Sequence, residues 1–209
     1  MTKLILVRHA QSEANAKRIF AGHTDFPLSE LGYLQAKASA EYSKKFNISC
    51  IYSSDLSRTM QTAEHFSKIH NLPIIPKKEL REIYAGEWDG MALAEIKERY
   101  QDRYSHWCDG TNMHPVGGEK PEELADRIYQ AVEKIAKEND GKTVLVVTHA
   151  AAIRTFETLI KTGSMEFLPD YPWVSNASLN FLEYENGEFR FLERDVSQSE
   201  LKSTLPAGI

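Results

Sequence analysis

Leu4-Ile5-Leu6-Val7-Arg8-His9-Ala10-Gln11-Ser12-Glu13-Ala14-Asn15 is an apolar run of strand type that breaks off in an arginine and a histidine. A polar loop follows. In an open α/β sheet, ligands sit in the crevice beyond the carboxyl ends of the strands, so Arg8 and His9 stand where a ligand would be met. A guanidinium offers a planar fork suited to phosphate oxygens, and the neighbouring imidazole can be nucleophile, base or metal ligand. A second copy of the arrangement, Thr143-Val144-Leu145-Val146-Val147-Thr148-His149-Ala150, gives the first its weight. Two strands of buried type each deliver a histidine at the same end.

The intervening segments alternate between strand and helix patterns. Residues 3–8 read as a buried strand and 9–28 as a long polar loop, of a length that is often functional. Ser29 is placed to N-cap a helix over about 30–46 with Leu31, Leu34, Ala38, Tyr42 and Phe46 on its apolar face. After a strand at 48–53, Ser54-Asp55 is expected to cap a helix carrying Leu56, Met60, Ala63, Phe66 and Ile69. Arg58 falls in its first turn, unfavourable for a cation unless an anion is bound there.

Pro73-Ile74-Ile75-Pro76 is a short extended piece followed by Leu80-Arg81-Glu82. Residues 83–118, rich in glycine and aromatics, read as a helical insertion over one side of the sheet, a lid or specificity wall. Pro121 opens a helix to about 138, then come the strand at 143–148 and a helix at 151–161. Asn186-Gly187 marks a hairpin between 178–185 and 188–194, and the tail after Val196 reads as peripheral. The expected architecture is one domain over 1–209: a three-layer α/β/α sandwich with a mixed, mostly parallel sheet.

Composition narrows the function. The 209 residues carry a net charge of −5, and with a pI near 5.8 no basic footprint points to nucleic acid. No apolar run approaches a membrane span, and the N-terminal run is too short for a signal peptide, so a cytoplasmic protein is expected. Cys50, read as a buried thiol, and Cys108 lack metal or redox spacing, and nothing requires a disulfide between them. The sequence is compatible with a homodimer without requiring one.

Arg8, His9, Arg58, Glu82 and His149 remain to be brought together. Two histidines and a glutamate could bind a metal, but two arginines at the same point would repel a dication. In an anion pocket every group finds a role. One imidazole attacks phosphorus, and the arginines and second histidine neutralise the phosphoryl oxygens. Glu82, held protonated in a shielded site, then protonates the leaving oxygen. No metal and no organic cofactor are called for.

With these residues in view, the chain resembles the histidine phosphatase superfamily, in its phosphoglycerate-mutase-like branch. The family's Arg-His-Gly-Glu-Thr-x-x-Asn opening appears as Arg8-His9-Ala10-Gln11-Ser12-Glu13-Ala14-Asn15. The likeness continues through Asp25-Phe26-Pro27-Leu28-Ser29, Tyr52-Ser53-Ser54-Asp55-Leu56-Ser57-Arg58-Thr59, Leu80-Arg81-Glu82, Gly86-Glu87-Trp88-Asp89-Gly90, Gly117-Gly118-Glu119 and Val147-Thr148-His149. The resemblance implies that His9 becomes phosphohistidine and that Glu82 is proton donor and later base. By the resemblance Arg8, Arg58, His149 and Asn15 would hold the phosphoryl group of a small phosphorylated substrate. Gly22 and His23, in the loop beside the site, are further candidate contacts, and His149 is better charged as a donor to the phosphoryl group.

Ala10 and Ala150 depart from the family's glycines, a strain if either needs φ > 0. The family's mutases hold the substrate carboxylate with Arg, Tyr and Lys, at positions that here read Ile83, Ala85 and Leu93. A phosphatase is therefore expected over a phosphoglycerate mutase, and over a non-catalytic binder of phosphorylated ligands. His65 and His70 read as surface residues, and His106, Trp107 and His114 as packing.

Overall fold

In a computed structural model, which describes residues 1–197, six strands form one sheet in the order β3-β2-β4-β1-β5-β6. The strands are β1 (Thr2–Arg8), β2 (Ile48–Ser53), β3 (Ile74–Pro76), β4 (Thr143–Thr148), β5 (Leu179–Glu185) and β6 (Glu188–Val196). The first four run parallel; β5 and β6 are antiparallel additions. The sheet is mixed and mostly parallel, and β1 lies at its centre. Its side chains alternate between two cores, as a strand's period of two requires. Leu4 and Leu6 join the cluster built on α6 (Pro121–Glu138) and α7 (Ala150–Thr162). Ile5 and Val7 join the cluster that includes Ala40 of α2 (Glu30–Tyr42) and Ala63 and Phe66 of α3 (Ser57–His70). All four β1 residues are at most 2% exposed, each contributing about 1.5–3 kcal/mol by burial. That double burial is why the run reads as continuously apolar.

The hairpin turns at Asn186 and Gly187, both with positive φ, and Glu185 pairs with Glu188. The tail from residue 198 onward lies outside the described residues. Among the described residues no helix is long and apolar enough to cross a membrane.

Several local expectations need correction. The loop at 9–28 contains a short helix, α1 (Glu13–Lys17), closed by a capping box between Ser12 and Asn15. Helix α2 ends at Tyr42, and its buried face is Gly32, Gln35, Ala36, Ser39 and Ala40, while Leu34 is 57% exposed. Close approach, not apolar bulk, sets that face. A Cβ at Gly32 would meet the Gln11 carbonyl oxygen at 2.0 Å, Gln35 accepts from the Gln11 N–H, and Ser39 donates to the Ala177 carbonyl. Helix α3 is not capped by Ser54 or Asp55; Asp25, from the loop, accepts from the Ser57 N–H and hydroxyl. Cys50 is half-buried, donating to Asn139, and both cysteines are free. His65 and His70 are half-buried, not surface residues.

Residues 83–118 form a short 3-10 turn at 86–88 and two helices, α4 (Leu93–Arg99) and α5 (Gln101–Asp109). Trp88, Ile96 and Trp107 anchor them in the larger core.

Candidate active site

The register of β1 and β4 builds the site. Arg8 pairs with Thr148, so His9 and His149 leave the sheet side by side, and the His9 N–H donates to the Thr148 carbonyl at 2.9 Å. Their rings meet edge-on with centroids 5.2 Å apart. A cleft at this edge is lined by Arg8, His9, Ser12, Asn15, Arg58 and Glu82, with Ile19, Phe20, Ala21, Ile83, Leu93, Trp107, Ala150 and Trp173 completing the wall. The chain thus gathers Arg8, His9, Asn15, Arg58 and Glu82 in one cavity. His149 stands against His9, just behind that lining.

His9 is 5% exposed, and its Nδ1–H donates to the Ala10 carbonyl at 2.7 Å. This fixes the tautomer and leaves Nε2 as the basic, nucleophilic nitrogen. Burial, and then the Arg58 and Arg8 charges, push its pKa well below 6.5, so the ring is neutral near pH 7. Asn176 donates to the His9 carbonyl. His149 shares a 2.9 Å hydrogen bond between Nε2 and the Ser54 hydroxyl, while its buried Nδ1 has no partner among the described residues. Burial and Arg58 push its pKa well below 6.5 too. The expectation of a charged His149 does not hold for the unliganded protein: a ring 0% exposed in the field of Arg58 is neutral.

Arg58 is 1% exposed; it donates to the carbonyls of Ala21, Gly22 and Thr24. Burial lowers its pKa, opposed by Glu82, Asp25 and Asp89. Arg8 donates to the Val174 carbonyl, and burial brings its pKa to about 10, with Glu82 pulling the other way. Both guanidiniums stay charged near neutrality. Glu82 is the one Asp or Glu of the lining among the described residues, against the two guanidiniums, so the pocket carries an excess positive charge, which a phosphate dianion would neutralise.

Glu82 accepts from the Ile83 N–H at 2.9 Å and, through its other oxygen, from the Ala151 N–H at the start of α7 at 3.2 Å. Its main chain is stapled from outside the cleft. Arg127 on α6 donates to the carbonyls of Glu79, Arg81 and Glu82, and is held by a bidentate pair with Glu119. Glu119 also accepts from the Tyr84 N–H.

Asn15 both braces and faces the cleft: its Oδ1 is taken by Ser12, and its N–H by the Ser12 hydroxyl. Gly22 and His23 do not line the cavity. Asp89 binds the backbone N–H groups of Gly22, His23 and Thr24, and the His23 Nε2 donates to the Glu82 carbonyl at 3.0 Å. They brace the loop that holds Arg58. Neither Ala10 nor Ala150 has positive φ, so the alanines carry no strain there. Trp107 packs in the core and also lines the cleft; His106 and His114 do not line it.

Sequence reasoning missed Ser54, Asp89, Glu119, Arg127, Trp173 and Asn176. Three of these, Ser54, Asp89 and Glu119, sit within motifs already singled out, but their partners are far along the chain.

This fold and this pocket define an enzyme of phosphate chemistry, and comparison with known proteins agrees. The profile of the histidine phosphatase superfamily, branch 1, matches residues 4–196. The chain belongs to that superfamily and is a phosphatase of it. It is 37% identical over 157 residues to phosphoserine phosphatase 1 of Hydrogenobacter thermophilus, covering 74% of each chain. YhfR of Bacillus stearothermophilus superposes with a TM-score of 0.89 at 28% identity, over 96% of this chain and all of that one. An Entamoeba histolytica phosphoserine phosphatase in complex with 3-phosphoglyceric acid superposes with a TM-score of 0.81 at 25% identity, over 95% and 98% of the two chains.

Proposed function

We propose that the protein is a metal-independent phosphomonoester hydrolase that works through a phosphohistidine on His9, acting on a small phosphorylated metabolite. The observation that carries this reading is the His9 ring: neutral, Nδ1–H tied to the Ala10 carbonyl, and set between Arg8, Arg58 and Glu82. The His9 Nε2 attacks phosphorus and the bond to the alcohol oxygen breaks. Glu82 gives its proton to that oxygen as it leaves. Arg8, Arg58 and Asn15 take the phosphoryl oxygens, and the His149 Nδ1–H joins them when the Ser54 hydroxyl donates to Nε2. In the second half Glu82 takes a proton from water, the water oxygen bonds to phosphorus, and the P–N bond breaks to free His9 and inorganic phosphate.

What supports metal independence is the pair Arg8 and Arg58 in the lining of the cleft, because two guanidinium cations there would repel a dication.

Hydrolysis, not isomerisation, fits the wall. Ile83 and Leu93, at positions where the related mutases carry cations, line the cleft. Among the described residues the lining has no Lys or Arg beyond Arg8 and Arg58 to retain a carboxylate-bearing intermediate, so water takes the phosphoryl group. The reading is tested by phosphate release with EDTA present, for wild type and His9→Ala, with 3-phosphoglycerate and its bisphosphate primer assayed for isomerisation. Release lost in His9→Ala is expected. Isomerisation outrunning release would overturn it.

A further inference from the structure

Residues 171–178, which lead into β5, form neither helix nor strand, so contacts from elsewhere must fix them. They grip Arg8 and His9 from behind. Arg8 donates to the Val174 carbonyl at 2.6 Å. The Asn176 side chain donates to the His9 carbonyl at 3.0 Å and reaches Asn15 Oδ1 at 3.4 Å. Ser175 stands between these two residues, and its N–H and hydroxyl both donate to the Asp195 carboxylate, at 2.6 and 3.0 Å. Arg154 and Arg194 hold the carbonyls of Tyr171 and Pro172, upstream of the grip. Asp195 is the anchor at its centre. Neither Ser175 nor Asp195 lines the cleft.

An irregularity in the last strand puts Asp195 there. Leu179 pairs with Val196 and Phe181 with Glu193, so β6 carries one residue more than β5 at this point, and Asp195 takes φ +54°. A bulge of this kind re-aims a side chain, and aspartate is among the few residues that visit the left-handed region. The Asp195 N–H donates to Asn180 Oδ1 at 2.9 Å, and the fully buried Asn180 donates to the Leu6 carbonyl on β1 at 3.2 Å. The brace therefore closes on itself: it leaves β1 at Leu6, runs through Asn180, Asp195, Ser175 and Val174, and returns at Arg8. Burial lowers the Arg8 pKa to about 10, while Glu82 and then Asp195 pull it back up.

Phosphoryl transfer asks little of the protein beyond placement and charge, and a misplacement of about 1 Å costs about 10²-fold in rate. On the reading that this site hydrolyses phosphomonoesters through His9, we infer that Asp195 is a positioning residue. By holding Ser175 it sets the Val174 carbonyl and the Asn176 amide, and these fix the Arg8 guanidinium and the main chain of His9. It acts from outside the cleft, through hydrogen bonds and not through contact with substrate.

Two variants of the full-length protein test this. Asp195→Gly removes the carboxylate but leaves a residue at ease with positive φ. Asp195→Asn keeps an acceptor for the Ser175 N–H and offers a donor to the Ser175 hydroxyl oxygen. The probe is p-nitrophenyl phosphate, whose leaving group needs no proton, so kcat/KM reports attack by His9 within the cation clamp. Rates are taken per folded molecule, with the folded fraction read from urea unfolding. Asp195→Gly is expected to lose about 10–100-fold in kcat/KM, and Asp195→Asn to restore most of it. A merely structural role would lower the urea midpoint and leave the rate per folded molecule at the wild-type value, which overturns the inference alone. Equal losses in the two variants also overturn it, because charge and not hydrogen bonding would then be what matters. If Asp195→Gly does not fold, Ser175→Ala decides: a partial loss of kcat/KM is expected, and a wild-type rate overturns the inference. Turnover unaffected by His9→Ala, or no turnover by the wild type, overturns the hydrolase reading and the inference with it.

Discussion

Two buried neutral histidines make the stability of this protein depend on pH in a calculable way. His9 and His149 are at most 5% exposed and are held well below 6.5 by burial and by Arg58, with Arg8 adding to the effect on His9. In the unfolded chain each titrates near 6.5. Below that pH the unfolded state binds protons that the native state refuses, so stability falls as pH falls. The stabilising contribution is present above pH 6.5 and is lost progressively toward the depressed native pKa. From pH 7.5 to 5.5 the unfolded binding polynomial of one histidine grows tenfold, costing about 1.4 kcal/mol each and about 2.7 kcal/mol for the pair. At a urea m-value of about 2–3 kcal/mol/M this is a midpoint shift of about 1 M. The assay is urea unfolding at both pH values in phosphate-free buffer, comparing wild type with the His9→Gln, His149→Gln double variant. Groups elsewhere in the protein, such as the half-buried His65 and His70, cancel in the comparison. The double variant should lose about 2.7 kcal/mol of the pH dependence. An unchanged pH dependence would refute the neutral, dehydrated pair.

Three further outcomes follow from the same geometry. Glu82→Gln should lower kcat by about 10²–10⁴-fold on alkyl esters, and by much less on an aryl ester of low leaving-group pKa; equal losses on both would remove Glu82 as proton donor. Arg127→Ala frees three carbonyls around Glu82 and should cost about 10–100-fold in kcat, while inhibition by inorganic phosphate stays unchanged and Arg127→Lys recovers part of the rate. A fall in phosphate affinity instead would place Arg127 in the binding pocket. Asp25→Ala removes the acceptor at the start of α3 and should lower stability by about 1 kcal/mol in urea unfolding; no change would mean that water caps that end equally well.

What the sequence discloses here depends on how local the controlling physics is. Both histidine-bearing strands are legible because burial on two faces leaves a short, β-branched apolar run, and because each run ends in chemistry. The hairpin is legible because Asn186 and Gly187 supply the positive φ that its turn needs. Helix α2 misleads because its packing face is made of Gly32, Ala36, Ser39 and Ala40, which permit close approach, while Leu34 points to solvent. Apolar periodicity cannot register a face chosen for smallness.

The cap of α3 misleads for another reason: its acceptor, Asp25, lies 32 residues away in sequence. The same holds for the Arg127–Glu119 staple on Glu82 and for the Ser54–His149 bond. Arg58 was legible as a cation in need of an anion, but its grip on the loop at 21–24 depends on carbonyl positions that no side-chain pattern encodes.

The central claim is a covalent bond between phosphorus and His9. It is tested most directly by mixing enzyme with a ³²P-labelled ester, quenching in alkali within milliseconds and mapping the labelled peptide. Wild type should carry an acid-labile, alkali-stable phosphoramidate on the peptide containing His9, formed and consumed at rates compatible with turnover. His9→Ala should carry none. Turnover with no label on the wild-type protein, or label that persists in His9→Ala, would contradict the account.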